Sequence, residues 1–591
     1  MELFGNRKIQ MPENITLFSD IENPTPRADY KDVVIKAADE ALGYELKPLT
    51  AALYMEFSEN GNRTHFEAIY HARRRALFAL LLGTLYAGDD RYIRKAIDIT
   101  WAICEETTWV IPAHNVSRGY VYGGKPLFDA YDDIPEVDLF SGATGALLSL
   151  TYKYLGEKMD AVTGGVMTER LKYEIDRRII TPYLTYEMRW MYAFINNWTP
   201  WIVSNVLTCG AIVVDSPNRR LSVLSRSMDY LDRFVGIYGD DCGCNEGASY
   251  WGAAIGTLFD ASEIIYDYTG GKIDVMSAPF LKKSCRFIAD MCVDVSDGLF
   301  MNFADCPPRM TVDGDMVSRM GRRLHDGVLS DFGRKMKKQN DNASNAKWIS
   351  SFFAYRVIKN VFDTAEGDEF TPPDKCAFYR DMQVAVIRQG DFTVFVKGGH
   401  NRESHNHNDV GNIMLYHKGA PIIIDVGNLE YSKDTFSENR YKIWTNQSSY
   451  HNLPEINGVM QAAGREFASN GFECDENSAT VSYAGAYPAD SGAWLALRTV
   501  NIDESRVEVS DKVDSDGDCV FHYITCEKPE ISDGAAVIGQ IKATFDGAES
   551  ISVDEIDISS SEKMSREWRV TTLYRISIKS KELKTTFSAL I

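Results

Sequence analysis

The sequence lacks any apolar run long enough to cross a bilayer. A membrane-spanning helix needs about 18 or more consecutive apolar residues, and no stretch of the chain approaches that length. The first residues, MELFGNRKIQMPENITLF, also lack the basic head, apolar segment and small-residue cleavage site of a secretory signal. We therefore expect a soluble, cytoplasmic protein, or a periplasmic or secreted one if a native signal has been removed.

Paired cysteines and positive charge are scarce as well. The 11 cysteines are scattered singly apart from Cys242 and Cys244, so they predict reduced thiols, with neither a disulfide framework nor a C-x-x-C zinc site. The net charge of −21 argues against nucleic acid and anionic membranes as main partners. An acidic substrate remains compatible, because a local basic cluster such as HARRR (His71–Arg75) or GRRLH (Gly321–His325) can override the overall charge. The alternative for each cluster is a solvated helix face, which is the better interpretation of any single arginine.

The first part of the chain, from about residue 30 to 360, has a helical pattern. A chain of 591 residues is too long for one core and predicts at least two domains. Helical stripes recur every three or four residues in several segments, with Asp138 as a cap and Gly156 as a stop for one of them. These stripes follow Leu224, Met228, Leu231, Val235 and Tyr238, then Phe140, Ala143, Leu147, Leu150 and Tyr154, with similar runs at Ala76–Tyr86, Ala96–Cys104 and Thr257–Tyr268. No fixed repeat length is present, which disfavours a regular solenoid.

The pattern changes after the acidic, proline-containing segment Asp363–Lys375. From there apolar residues alternate with polar ones, which is typical of strands. QVAVIRQGDFTVFVKGG predicts a hairpin around Gln389–Asp391, and SRVEVSDKV, CVFHYIT and WRVTTLYRISIK predict further strands. This half therefore predicts an antiparallel sandwich of ordinary size for an all-β domain.

Histidines are concentrated in one part of this second half. His405 and His407 stand two residues apart, so on a strand they would face the same side of the sheet. With Asp425 and His451 they form a plausible set of nitrogen and oxygen ligands for zinc or manganese. Two alternatives are hydrogen-bonded core histidines and a metallo-β-lactamase-like H-x-H-x-D site. The latter would need a histidine where Val410 stands.

Five stretches carry a resemblance to a known family. They are NNWTPW (Asn196–Trp201), NEGASYWG (Asn245–Gly252), SHNHND, IIIDVGN and RYKIWTNQSSYHNLPEINGVMQ (Arg440–Gln461). In their order and placement, from about Arg63 into the second half, they resemble the heparinase II/III-like family of polysaccharide lyases. The resemblance implies an incomplete (α/α) toroid of helical hairpins at residues 1–365 and an antiparallel β-sandwich at residues 376–591.

The resemblance also implies a role for each motif residue. His405 would transfer the proton, Tyr250 would be the catalytic tyrosine, and Asn197 would meet the substrate carboxylate. A single structural divalent metal, zinc or manganese, would be held by three residues, His407, Asp425 and His451. Some family members have a histidine directly after the asparagine, whereas this chain has Trp198, so a second imidazole from this helix is not expected.

Further residues are candidates for binding the substrate. The planar guanidinium group suits carboxylates and sulfates, and Glu246 could orient Tyr250 or a sugar hydroxyl. Asn196 could share the task of Asn197 or cap the helix. The substrate-binding set is Asn196, Trp198, Arg63, Arg73, Arg74, Glu246 and Arg440.

The predicted activity is β-elimination in an acidic polysaccharide or oligosaccharide. Glycosaminoglycans such as chondroitin, hyaluronan or heparan are the favoured substrates, and oligoalginate is the runner-up. One alternative is a hydrolase on the same toroid, with two carboxylates from among Asp241, Glu246 and Asp305. Another is a binding protein that has lost activity. The sequence is also compatible with a homo-oligomer.

Overall fold

The computed structural model describes residues 25–115, 136–341, 350–363, 372–403, 405–430 and 439–590, together with residues 2–5, 9, 11–19, 21, 126–127, 435 and 437. A helical half is followed by antiparallel sheets, which confirms the predicted fold class of an incomplete (α/α) toroid and a β-sandwich. Of the two predicted domain bounds, residue 365 lies outside the described residues, and residue 376 is the first residue of a strand. Within the part that is described, no helix is both long and apolar enough to span a membrane.

The helices of the first half pack pairwise in two layers. Helices α3, α5, α9 and α11 follow one another in space, and α1, α4, α6, α10 and α12 pack against them. A π-helical turn, Asp176–Ile180, joins α6 to α7. The helices are α1 Lys31–Leu42, α2 Ala51–Asn60, α3 Thr64–Ala87, α4 Ile93–Cys104, α5 Leu139–Thr163, α6 Val166–Ile175, α7 Thr181–Thr185, α8 Arg189–Tyr192, α9 Trp198–Val213, α10 Pro217–Val235, α11 Ala248–Tyr268, α12 Pro279–Asp290, α13 Gly314–Leu324, α14 Gly327–Asp341, α15 Ala354–Phe362 and, among the sheets, α16 Glu562–Trp568.

Helix α5 shows one correct and one wrong boundary prediction. Asp138 caps it as predicted, accepting a hydrogen bond from the backbone N–H of Ser141. Gly156 does not end the helix, which continues to Thr163 and stops at Gly164 with φ +68°. A Cβ at Gly156 would lie 3.1 Å from the Thr168 side chain on α6, so this glycine serves helix packing and not termination.

Within the described residues, the strands form three larger antiparallel sheets and two small ones. The larger sheets have the orders β11-β12-β13-β14-β21-β18-β17-β16, β3-β4-β5-β7-β8 and β19-β20-β15-β9, and the small ones pair β1 with β2 and β6 with β10. The strands are β1 Cys292–Asp294, β2 Leu299–Phe300, β3 Cys376–Tyr379, β4 Val384–Gln389, β5 Phe392–Lys397, β6 His400–Asn401, β7 Ile413–His417, β8 Ala420–Ile423, β9 Glu455–Ile456, β10 Gly464–Ala468, β11 Gly471–Cys474, β12 Ser478–Ser482, β13 Ala493–Ile502, β14 Arg506–Ser515, β15 Cys519–Thr525, β16 Glu530–Ser532, β17 Ala535–Ile538, β18 Ile541–Asp546, β19 Ser550–Asp557, β20 Thr572–Lys579 and β21 Glu582–Ala589. The predicted β4–β5 hairpin and the strands β14, β15 and β20 are confirmed.

The five-stranded sheet joins the two halves. Side chains on one of its faces, including Val386, Phe395 and Met414, belong to the core of the helical half. Their sequence neighbours Ile387, Val394 and Leu415 belong to the core between the sheets. Successive side chains of a strand point to opposite faces of the sheet, so these strands are buried on both faces. It explains why loops at the edge of this sheet lie directly against the helices.

Candidate active site and metal centre

His405 lies at the junction of the two halves. It is in the loop between β6 and β7, with a left-handed backbone at φ +56°. Its Nδ1 lies 2.7 Å from Oδ2 of Asp305, which follows β2 in the helical half. Its ring stacks on that of Tyr250, with 4.4 Å between centroids and 27° between planes. The prediction that His405 and His407 lie on one strand is therefore wrong, because this segment is a turn that precedes β7.

Tyr250 is presented by the first turn of α11. The helix begins after Gly247, whose φ of +83° is a left-handed conformation that favours glycine. A Cβ at Gly247 would also lie 3.1 Å from the carbonyl oxygen of Phe303 and 3.2 Å from Cβ of Cys306. This close approach holds the start of α11 against the loop that carries Asp305.

Asn197 and Glu246 form a buried pair beside this ring stack. Asn197 is the N-cap of α9, and its Nδ2 donates to Oε2 of Glu246 at 2.7 Å. Burial raises the pKa of Glu246, although the charge of His405 and the hydrogen bond from Asn197 act against the rise. Glu246 directly precedes Gly247 and the first turn of α11, which carries Tyr250, so the pair lies close to the junction. Asn197, Glu246, Tyr250 and His405 are called the junction cluster below.

His407, Asp425 and His451 form a second, fully buried cluster, called the ligand cluster below. Each offers a ligand atom, and these atoms lie within 4.8 Å of one another. Nδ1 of His451 is 2.7 Å from Oδ2 of Asp425. Nδ1 of His407 and Nε2 of His451 are buried and make no hydrogen bond within the described part of the chain. Buried orphaned nitrogens are costly unless a partner satisfies them.

The charges of the ligand cluster suit a divalent ion. Burial lowers the pKa of His407, which favours the neutral imidazole that binds metals. Burial would raise the pKa of Asp425, but His451, His407 and the N–H of Gly427 together lower it. Asp425 in turn raises the pKa of His451 against the effect of burial, so a metal would replace a proton there. Two imidazoles and a carboxylate are a donor set that fits zinc or manganese.

Asp305 connects the two clusters. Its Oδ2 binds His405, while its Oδ1 lies 3.1 Å from Nε2 of His407 and 3.0 Å from Nη2 of Arg440. Burial acts to raise the pKa of Asp305, but these partners hold it well below its usual range. The sequence offered Asp305 only as a hydrolase carboxylate. Its surroundings in FADCPP carry no recognisable signal, and its partners lie about 100 residues or more away along the chain.

Three of the arginines predicted to bind substrate are engaged within the protein. Arg73 and Arg74 are 5% and 3% exposed, and both bind the buried carboxylate of Glu106. Arg440 binds Asp305 and also donates to the carbonyl oxygens of Asn406 and Thr435. Burying a charged guanidinium is costly unless internal partners neutralise it. Arg73 and Arg74 are therefore committed to Glu106, which contradicts the prediction that they bind substrate, and Arg440 is committed to Asp305.

The remaining candidates are placed differently. Arg63 is half-exposed and pairs with Glu67 one helical turn later. Oδ1 of Asn196 accepts a hydrogen bond from the N–H of Trp198, the first residue of α9, at 3.0 Å, so the side chain of Asn196 is bonded to the start of the helix. The ring of Trp198 lies 4.6 Å from that of His114. Of the second basic cluster, Arg322 pairs with Asp363.

Comparison with known proteins supports the fold. Residues 371–565 match the family model described as heparinase II/III-like, C-terminal. A search of curated proteins returned no match. Among solved structures, heparinase III matches with a TM-score of 0.64 at 13% identity, covering 99% of this chain and 88% of that one. The heparan sulfate lyase of Pedobacter heparinus matches with a TM-score of 0.60 at 15% identity, covering 99% and 86%.

A third solved structure widens the likeness. A mutant of the chondroitin AC lyase of Streptomyces coelicolor A3 matches with a TM-score of 0.50 at 12% identity, covering 95% of this chain and 83% of that one. The solved structures support the fold of the chain as a whole, and the family model supports the assignment of residues 371–565. The resemblance carried by the five motifs is thereby confirmed: residues 371–565 match the heparinase II/III-like C-terminal family model, and the two-part fold of the chain is similar to that of the heparinase and chondroitin lyases.

Proposed function

We propose that this protein is a polysaccharide lyase that cleaves uronate-containing chains by β-elimination. The observation that carries the proposal is the junction cluster itself. A tyrosine and a histidine from different halves of the protein stack at 4.4 Å, beside an asparagine whose amide is held by a glutamate. These are an acid, a base and a neutral donor, which is what elimination next to a carboxylate requires.

The reaction begins with removal of the weakly acidic C5 proton of the uronate. Negative charge then develops on the substrate carboxylate, and a preplaced donor lowers the barrier by about 3–4 kcal/mol. Nδ2 of Asn197 has two hydrogens. One of them goes to Glu246, and the other would meet the carboxylate. Glu246 thus fixes which end of the amide faces the substrate.

The C4–O bond breaks as the C4=C5 double bond forms, and the departing oxygen takes up a proton. A tyrosine hydroxyl, with an ordinary pKa of about 10, is a natural donor to that oxygen, and an imidazole, with an ordinary pKa of about 6.5, is a natural base. Because Asp305 binds Nδ1 of His405, proton exchange with the substrate falls to Nε2. Where Tyr250 instead removes the proton, His405 would polarise it through the ring contact.

We further infer that the ligand cluster holds one divalent metal, zinc or manganese. When bound, the metal would link the three chain segments that carry His407, Asp425 and His451. His407 is two residues from His405, so anchoring it would fix the loop that presents His405. The orphaned nitrogens of His407 and His451 support this assignment.

Glycosaminoglycans are the substrates that we propose first. The heparan sulfate lyase and chondroitin AC lyase that share the fold are named for such polymers. Oligoalginate is the alternative. A hydrolase has less support, because Asp305 is held ionised among His405, His407 and Arg440, and Asp241 accepts hydrogen bonds from the backbone of Asp381 and Met382.

The test is a panel of chondroitin, hyaluronan, heparan sulfate and alginate oligosaccharides, followed by ultraviolet absorbance. Elimination produces a conjugated unsaturated uronate that absorbs, and His405→Ala should abolish the signal. New reducing ends without absorbance would indicate hydrolysis instead. Binding without either product would indicate a carbohydrate-binding protein, and full activity of His405→Ala would overturn the site assignment.

A further inference from the structure

Two cysteines meet where the edges of two sheets pack together. Cys376 begins β3, the edge strand of the five-stranded sheet, and Cys474 ends β11, the edge strand of the eight-stranded sheet. Their sulfur atoms lie 3.6 Å apart. Both side chains are half-buried, whereas eight of the other nine cysteines are buried.

The register of the two strands keeps these sulfurs together. Two residues along each strand, the rings of Phe378 and Phe472 stack with 5.5 Å between centroids. Side chains two residues apart lie on the same side of a strand. Cys376 and Phe378 therefore face the other sheet together, and they meet Cys474 and Phe472 respectively. The contact is a repeated side-chain ladder between the sheets and not a chance approach of two flexible ends.

Hydrogen bonds on both sides of the ladder fix it further. Nε2 of Gln389, at the end of β4, donates to the carbonyl of Glu476 and to Oδ1 of Asn477 just after β11. The backbone N–H of Ser469, just before β11, donates to the carbonyl of Gly399. The two thiols are thus preorganised by the fold.

We propose that Cys376 and Cys474 are a modification site at which a small-molecule disulfide forms a reversible cross-link between the sheets. A disulfide bond is about 2.0 Å long, so the sulfurs must approach by about 1.6 Å from their separation of 3.6 Å. Rotation of the two cysteine side chains is the movement that cross-linking would require. The hydrogen bond between the two thiols lowers the pKa of Cys376, and we therefore assign Cys376 as the attacking thiolate.

The chemistry balances in two exchanges. The thiolate of Cys376 attacks one sulfur of the small disulfide, forms a mixed disulfide and expels one small thiolate. Cys474 loses its proton, attacks Sγ of Cys376 and expels the second small thiolate. Two protein thiols are oxidised, one small disulfide is reduced to two thiols, and the two protons from the cysteines go to them.

The cross-link would enclose the metal and proton-transfer residues of the second half. The cysteines are 98 residues apart, and the segment between them contains His405, His407, Asp425 and His451. Closing a loop restricts the unfolded chain. We therefore expect the oxidised protein to have a higher thermal midpoint, whether or not the proposed lyase activity is correct.

The test treats the folded full-length protein with oxidised glutathione, blocks the remaining thiols in denaturant and maps peptides without reduction. We expect a peptide linking Cys376 to Cys474 and loss of two of the 11 thiols. Dithiothreitol should restore both. A glutathione adduct on Cys376 without the linked peptide would overturn the proposal.

Three variants sharpen the result. Cys474→Ser should stop at a glutathione adduct on Cys376, and Cys376→Ser should prevent the link. Cys526→Ser is the matched control, because Cys526 is also half-buried, and it should still form the link. A thermal midpoint that rises equally in the wild type and in Cys474→Ser would show that the link does not restrain the enclosed segment.

Discussion

The junction cluster and the ligand cluster each have one histidine in contact with Asp305, but these two histidines differ in exposure. The side chain of His405 is 18% exposed and that of His407 is 0% exposed, although only one residue separates them and both bind the same carboxylate. His405 turns towards Tyr250 of the helical half, and His407 turns towards His451 between the sheets. Two histidines one residue apart therefore contact different ring partners, and on that basis we propose a proton-transfer role for His405 and a structural role for His407.

Substitutions at the stacked rings should give the largest loss of activity with little loss of stability. We expect Tyr250→Phe to lower kcat by about 10²–10⁴-fold, because positioned proton transfer contributes that much, while leaving the thermal midpoint near that of the wild type. Initial rates on the cleaved oligosaccharide and a thermal melt measure both. The matched control is Tyr266→Phe, near the other end of α11, which should keep full activity. An equal loss of kcat in Tyr250→Phe and Tyr266→Phe would contradict a proton-transfer role for Tyr250.

Substitution of Asp305 should affect both clusters at once. Asp305→Asn leaves Arg440 without its counter-charge and gives one histidine an amide N–H in place of an oxygen. We expect a loss of activity of about 10–100-fold together with weaker metal binding, which is typical when a partner of a ligand is changed. Kinetics and metal content should be measured on the same preparation.

Asp241→Asn controls for the removal of a carboxylate. Asp241 also spans the two halves, by accepting from the N–H groups of Asp381 and Met382. The Asp241→Asn variant should retain its metal and show a much smaller change in activity than Asp305→Asn. A normal metal content in Asp305→Asn would indicate that the clusters are independent.

Substitutions in the ligand cluster should lower the stability of the protein more than its activity. We expect His451→Ala to lose the bound metal and to lower the thermal midpoint, because a structural metal contributes folding free energy. Activity should fall only because the loop that carries His405 becomes less ordered. Elemental analysis of the purified protein and melts with and without a chelator measure the effect.

His522→Ala is the matched control for a buried histidine. His522 is 4% exposed and its Nδ1 contacts the hydroxyl of Ser577 on the neighbouring strand, far from the ligand set in sequence. It should keep one metal per chain and remain sensitive to the chelator. A metal-free wild type with no chelator effect would contradict the assignment.

The sequence indicated the fold more fully than the site. Apolar periodicity located α5, α10 and the β4–β5 hairpin because burial imposes it directly. Periodicity cannot reveal that His405 has φ +56°, since a turn before β7 leaves no alternating pattern. It also could not pair Asp305 with His405, or Arg74 with Glu106. Those contacts join distant segments, and charge alone does not tell an arginine that faces a cleft from one that is neutralised inside the protein.

The smallest effect should come from Glu246, which touches the junction cluster through Asn197. Glu246→Gln keeps the shape and one carbonyl oxygen that can still accept from Nδ2 of Asn197, so only the stronger charge-assisted bond is lost. A net change of about 0.5–1.5 kcal/mol corresponds to a reduction of kcat by about tenfold or less. Glu246→Ala removes the acceptor, frees the Asn197 amide to turn over and should cost more. If Glu246→Gln were as damaging as Tyr250→Phe, Glu246 would be handling a proton itself, and the division between positioning and proton-transfer residues within the junction cluster would have to be redrawn.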